Sequence, residues 1–290
     1  MSTAAEVFRA LQRQAKEAGR LTQELLELYV LEGFLARLAD SPHRDLFVLK
    51  GGVLLAAFGN RRPTRDVDLA ALDVSNEINN IQRLVRDILR IQLDDGLEFA
   101  IDSVNGEIIR EEDPYAGVRI SARAKLYTAK LNFHVDVNVG DPIDPAPTDV
   151  SVPRLVAGEP IRLLGYPIHM VLAEKTVTAI QRGTANTRWR DYGDIWTLTR
   201  HHQVDGSQLH KAVITVGAHR KATLASLTET LDGYAEIAQS KWAAWRRRLN
   251  NTSLPEQFSE VVAAVILFGE PALSGACVDL TWDPTHRKWG

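Results

Sequence analysis

Residues 130–140 read KLNFHVDVNVG, and no other stretch limits the folding of this chain so tightly. Leu131, Phe133, Val135, Val137 and Val139 alternate with Asn132, His134, Asp136 and Asn138. A two-residue period puts the first set on one face of a β-strand and the second set on the other. The segment therefore requires a sheet with one apolar and one polar face, and it assigns Asp136 to the polar one. Further β-like runs precede it: LFVLK at 46–50, DVDLAAL at 66–72, and segments at about 97–104 and 117–127. Helical periodicity predicts helices over about 3–19, 22–39 and 77–93, with a short one in VLLAAFG that Gly59 ends.

After the β region the pattern changes. HMVLAEKTVTAIQRG, WRDYGDIWTLTRHH, SQLHKAVITVGAH, LTETLDGYAEIAQSKWAAWRRRLN and PEQFSEVVAAVILFG all read as helices. The Pro-rich DPIDPAPTDVSVP at 141–153 reads as a connector. A chain of 290 residues has room for about two domains. The expected class is α+β, with a mixed sheet and N-terminal helices over 1–165 and a helical domain over 166–290. The last fifteen residues are expected to form a surface tail.

Composition narrows the partners. With 34 Lys and Arg against 37 Asp and Glu, the net charge is -3, so affinity for nucleic acid would have to come from a local basic face. Cys277 is the one cysteine, which excludes an internal disulfide and a Cys-rich zinc site and fits a reducing compartment. No apolar run reaches the roughly 18 residues of a membrane span. A soluble cytoplasmic protein is expected, with no membrane partner.

The chemistry concentrates in KGGVLLAAFGNRRPTRDVDLA, residues 50–70. On a strand Asp66 and Asp68 project to the same side while Val67 and Leu69 point into the core. Two carboxylates so close repel each other unless a cation lies between them. A divalent metal resolves the conflict, since Mg²⁺ takes carboxylate oxygens and keeps positions open for water or phosphate. A neighbouring strand would bring Asp136 beside the pair, and three carboxylates suit the two-metal arrangement used for displacement at phosphorus. Gly51 and Gly52 lack Cβ atoms, so their N–H groups can approach a triphosphate at the start of the next helix. An isolated Asp-x-Asp is commonly just a solvated pair. Its coupling to the preceding Gly-Gly turn is what favours nucleotidyl transfer.

The segment KGGVLLAAFGNRRPTRDVDL, followed later by MVLAEKTVTAIQRG and RWRDYGDIW, resembles the AbiEii/MenT-like nucleotidyltransferase toxins, a branch of the polymerase-β-type nucleotidyltransferase superfamily. The resemblance implies that residues 1–165 hold a nucleotidyltransferase core and that the helical domain completes the NTP and acceptor site. It implies that Asp66, Asp68 and Asp136 are metal ligands, with Mg²⁺ or Mn²⁺ as cofactor, and that Lys175 contacts the NTP triphosphate. At least one of Asp191 and Asp194 is expected near the active site, Asp194 in catalysis and Asp191 toward the nucleotide. Arg182 shares a helix face with Lys175 and Thr178. Thr64 matches a Ser/Thr position beside the phosphate-binding turn, next to Arg65. A phosphoryl or nucleotidyl group on Thr64 would put negative charge where the triphosphate must sit. Gly193 stands where the family usually has a bulkier residue.

The acceptor implied by the resemblance is a tRNA 3′ end, whose extension blocks aminoacylation and translation. A cognate antitoxin and a role in phage defence or growth control come with it. A protein or small-molecule hydroxyl as acceptor, or a non-catalytic member that binds RNA or a partner, are the alternatives. Arginines 61, 62, 65, 119, 123, 182, 188 and 190, with Lys125 and Lys130, could form an RNA track, as could Arg246, Arg247 and Arg248 after Trp242 and Trp245. The spacing of the two tryptophans fits a helix core better than a stacking platform. His201, His202, His210 and His219 match no zinc spacing.

Overall fold

The computed structural model describes residues 3–109, 117–249 and 253–290. They fall into two compact units, one of residues 1–141 and 148–165, the other of residues 142–147 and 166–290.

The first unit starts with α1 (Ala4–Glu17) and α2 (Thr22–Ala39). Thr3 and Glu6 cap α1 reciprocally, each side chain bonding the other's backbone N–H. Then come β1 (Phe47–Lys50), the one-turn α3 (Gly51–Leu54), β2 (Asp66–Ala71) and α4 (Ile78–Leu89). Strands β3 (Leu97–Ile109), β4 (Gly117–Leu126), β5 (Ala129–Val139), β6 (Thr148–Val152) and β7 (Ile161–Gly165) complete it. They form one seven-stranded sheet in the order β3-β4-β5-β2-β1-β7-β6. The β2–β5 and β1–β7 pairs are parallel and the rest antiparallel, so the sheet is mixed, as expected.

Leu131, Phe133, Val135 and Val137 of β5 are buried, and α2 packs against this strand, with the Phe34 and Phe133 rings 6.1 Å apart. Helix α2 is buried almost all round, which forces its two buried charged residues, Glu32 and Arg37, to be paired. Arg37 grips Asp95 through both terminal nitrogens, at 2.6 and 3.1 Å. Glu32 binds Arg61 and accepts from the Leu155 N–H at 3.0 Å. Burial raises the Glu32 pKa, against the pull of Arg61. Arg61 is thus a clamp inside the fold, which takes it out of the expected RNA track.

The second unit contains α5 (Ile168–Arg182), α6 (Trp189–His201), β8 (Val204–Asp205), α7 (Gly206–His219), α8 (Leu227–Thr230), α9 (Tyr234–Arg248) and α10 (Phe258–Ser274). The single helix predicted over 227–250 is broken into α8 and α9 at Gly233, whose φ is +69°, and its last residue, Asn250, lies outside the described residues. Trp242 is fully buried, stacks on Phe258 at 4.8 Å and donates to the Pro255 carbonyl at 3.0 Å. Trp245 lies partly exposed beside it at 5.1 Å. Gly193 is explained here: a Cβ would come within 3.3 Å of both Leu254 and Trp245.

The last fifteen residues are not a tail. They form β9 (Thr281–Asp283) and β10 (Lys288–Trp289), which join β8 in a small sheet. Trp282 is buried against Phe268 at 5.0 Å and donates to the Thr199 carbonyl at 2.6 Å. Two tryptophans with a buried partner ring outweigh the polar residues around them. Among the described residues, no helix is long and apolar enough to cross a membrane.

Candidate active site

Strand register builds the site in the first unit. Lys50 of β1 pairs with Asp68 of β2, Asp68 with Asp136 of β5, Asp136 with Arg119 of β4, and Arg119 with Glu107 of β3. Residues in register point to the same face, with Cβ atoms about 4.5–5.5 Å apart. One row of charged side chains therefore crosses five strands. Asp66, two residues before Asp68, joins it from the same face of β2.

Asp66, Asp68 and Asp136 each offer an oxygen, and these atoms lie within 4.8 Å of one another. Among the described residues no other three His, Cys, Asp or Glu groups converge in this way. A polar cavity of about 650 Å³ opens elsewhere in this unit, lined by Tyr29, Arg44, Asp94, Arg154 and Arg162 among others, but it contains none of the three aspartates. All-oxygen donors at such spacing fit a hard divalent cation such as Mg²⁺ or Mn²⁺.

The paired glycines have a reason that sequence alone did not reveal. Gly51 has φ +67°, a left-handed conformation, and a Cβ there would lie 1.8 Å from an Asp68 carboxylate oxygen. A Cβ on Gly52 would lie 2.7 Å from the Thr64 hydroxyl. The glycines thus seat Asp68 and Thr64. Thr64 is buried, and its hydroxyl donates to Asp66 at 3.1 Å. Arg65 is highly exposed, 3.8 Å from Glu27.

Arg119 was expected only as one of many basic residues. Its Nε and Nη2 donate to the two oxygens of Asp136 at 2.7 and 2.6 Å, and Nη2 lies 4.0 Å from Asp66. The Asp136 carboxylate drives the guanidinium pKa above its ordinary value, against a desolvation that would lower it. The structure thus supplies the cation that two adjacent carboxylates demand. Lys50 was also missed: it is buried, and its Nζ lies 2.6 Å from Asp141. The sequence signal was its position directly before Gly51, at the end of an apolar strand.

The second unit has its own charged cluster. Lys175 on α5 reaches Asp191 at 2.8 Å and Asp194 at 2.7 Å, both on α6. Arg188 Nε also donates to Asp191, at 2.6 Å. Both aspartates are buried. Burial alone would raise the Asp191 pKa, but Lys175 and Arg188 more than reverse this and hold it far below the ordinary carboxylate range. Lys175 is therefore fixed by two carboxylates three residues apart on one helix. Thr178 donates to the Glu174 carbonyl and accepts from Arg220 at 2.9 Å, while Arg182 is partly exposed.

The description nucleotidyl transferase AbiEii toxin, type IV toxin–antitoxin system, matches residues 33–264. The chain belongs to the AbiEii nucleotidyltransferase toxin family. This covers most of its length, from α2 into α10 and across both charged clusters, and it identifies the protein as a nucleotidyltransferase. A comparison with curated proteins finds no match. Among solved structures, this AbiEii-family chain is similar to a candidate nucleotidyltransferase from Helicobacter pylori at 15% identity and TM-score 0.50, covering 88% of this chain and 97% of that one. It is also similar to JHP933 from Helicobacter pylori, at 16% identity and TM-score 0.51, covering 88% and 94%. At such identity the likeness concerns the fold, which is that of these nucleotidyltransferase structures.

Proposed function

We propose that this AbiEii-family enzyme transfers a nucleoside monophosphate from an NTP to the 3′ end of tRNA, and so stops aminoacylation and translation until a cognate antitoxin restrains it. The observation that carries the reading is the convergence of Asp66, Asp68 and Asp136 on one polar sheet face. In the reaction, the acceptor hydroxyl oxygen forms a bond to the α-phosphorus. The bond from that phosphorus to the α–β bridging oxygen breaks, pyrophosphate leaves, and the hydroxyl proton passes to a triad carboxylate. Bound divalent metal would supply charge stabilisation at the phosphoryl oxygens. The three aspartates would hold it.

The chain's own groups have distinct tasks in this reading. Gly51 and Gly52 keep Asp68 and Thr64 in place and offer backbone N–H groups to phosphate. Lys175, fixed by Asp191 and Asp194, is assigned to the triphosphate, with Arg182 and Arg65 as supporting cations. For the acceptor, Arg123, Lys125 and Lys130 are exposed at the β4–β5 turn, where they suit an RNA backbone. A toxin of this kind would serve phage defence or growth control.

The test is incubation of the purified protein with labelled NTPs and either total tRNA, a protein mixture or small hydroxyl acceptors, followed by sequencing of tRNA 3′ ends. Label confined to tRNA 3′ ends supports the reading. Label on protein or on small molecules alone would replace the acceptor, and no transfer to any of them would overturn the activity.

A further inference from the structure

We propose that Arg119 is a positioning residue that holds Asp136 until a divalent cation takes its place, and that Glu107 receives the displaced guanidinium. The proposal rests on the reading of the three aspartates as a metal site.

Four observations lead to it. Arg119 contacts both oxygens of Asp136, so one cation engages each end of the carboxylate. The same guanidinium reaches toward Asp66 at 4.0 Å, which makes it a stand-in for charge between two of the ligands. Its side chain is 33% exposed whereas that of Asp136 is 4% exposed, so the arginine can move outward while the aspartate stays. Finally, β3 places Glu107 in register with Arg119 on the side away from Asp136, exposed, and its charge already acts on the guanidinium. A cation cannot share Asp136 with a guanidinium at hydrogen-bond distance without like-charge repulsion. With a second carboxylate beside it, Arg119 can leave without losing a partner.

The cluster thus has two arrangements. In the first, Arg119 neutralises Asp136 and the three carboxylates tolerate their proximity. In the second, the divalent ion does so, and Arg119 turns to Glu107. Metal affinity is set by the difference between the two, so each partner of Arg119 pulls on it in a predictable direction.

The experiment is Mn²⁺ titration of the full-length protein without nucleotide, read by the electron paramagnetic resonance of free Mn²⁺ and by the thermal shift. Four variants are compared with the wild type: Arg119→Gln, Glu107→Gln, the two combined, and Asp68→Asn. Arg119→Gln is expected to tighten Mn²⁺ binding about ten-fold, equivalent to about 1.4 kcal/mol. Glu107→Gln is expected to weaken it several-fold. The double variant should match Arg119→Gln alone, because Glu107 acts only through Arg119. A general field effect of Glu107 would persist in the double variant and would overturn its role as acceptor. Unchanged or weaker binding in Arg119→Gln would overturn the competition. Should that variant not fold, Arg119→Lys keeps the charge without the two-pronged grip, and the same tightening, smaller in size, is required of it. Loss of Mn²⁺ binding in Asp68→Asn places the ion at the triad. Binding indifferent to Asp68→Asn would overturn the metal site itself, separately from the role of Arg119.

Discussion

The two charged clusters use the same residue types to opposite ends. In the sheet unit, the oxygens of Asp66, Asp68 and Asp136 converge beside Arg119, with Lys50 in register next to Asp68, and Asp66 and Arg119 are partly open to solvent. In the helical unit, Lys175 and Arg188 meet Asp191 and Asp194, and the charges cancel. Three carboxylate oxygens that converge at a partly exposed edge can take up a hard cation. A balanced, buried cluster fixes its own members in place, because removing any of them strands a charge in low dielectric. In the proposed function the first binds the metal and the second positions Lys175. Substitutions should therefore separate activity from stability between the two.

The largest effect is expected at Asp68. Asp68→Ala should lower nucleotidyl transfer roughly a thousand-fold, the scale of several kcal/mol of charge stabilisation that a metal provides. Its fold should persist, since a carboxylate on the polar face of the sheet contributes little packing. Transfer of labelled nucleotide and a thermal melt check both at once. A variant that retained full activity would end the triad reading.

Asp191 should behave in the reverse way. Asp191→Ala leaves Lys175 and Arg188 short of a partner, a change that typically costs about 3–5 kcal/mol in a buried site. The pH dependence follows from its lowered pKa. A carboxyl whose folded pKa lies below its unfolded value stabilises the protein above the unfolded value, and that stability drains as acid carries the pH down through the folded one. Urea midpoints should therefore fall below the ordinary aspartate value of 3.8 and keep falling on further acidification. The drop should be shallower in Asp191→Asn, and equal slopes for the two proteins would contradict the pairing.

How much of this could be read in advance depended on distance along the chain. The two-residue period of 130–140 and of Asp66-Val67-Asp68 put the three carboxylates on polar strand faces, because alternation is a local property. Arg119 escaped because its role depends on the register between β4 and β5, which no local pattern encodes. From the sequence alone, without the family resemblance, Lys175 reads better as an exposed lysine, since the acids that bury it come from the next helix. The reason for Gly51 lay in a carboxylate seventeen residues away. Trp282 and Trp289 were assigned to a tail because a short strand with few apolar residues carries almost no periodic signal.

Lys175→Ala tests whether positioning serves chemistry. Loss of one charge-assisted phosphate contact, worth about 1.5–3 kcal/mol, would reduce transfer by an order of magnitude or more, chiefly through weaker use of NTP. The same change leaves Asp191 and Asp194 with less positive charge, so the melting temperature should also drop. A fall in stability with unchanged NTP kinetics would make the second cluster purely structural, and the contrast between the clusters would then be one of chemistry against scaffold.

The smallest effect sharpens the contrast from inside the first cluster. Thr64→Val keeps the shape that fills the space beside Gly52 but removes the hydroxyl bonded to Asp66. If Thr64 only orients Asp66, the loss is one hydrogen bond of about 1 kcal/mol, with a modest fall in melting temperature and a few-fold fall in transfer. If its hydroxyl donates to substrate phosphate, the KM for NTP should rise well beyond that while stability changes no further. A loss as deep as that of Asp68→Ala would place Thr64 among the groups that touch the reacting phosphate, and the burial of its hydroxyl against Asp66 would then describe the enzyme before its substrate arrives.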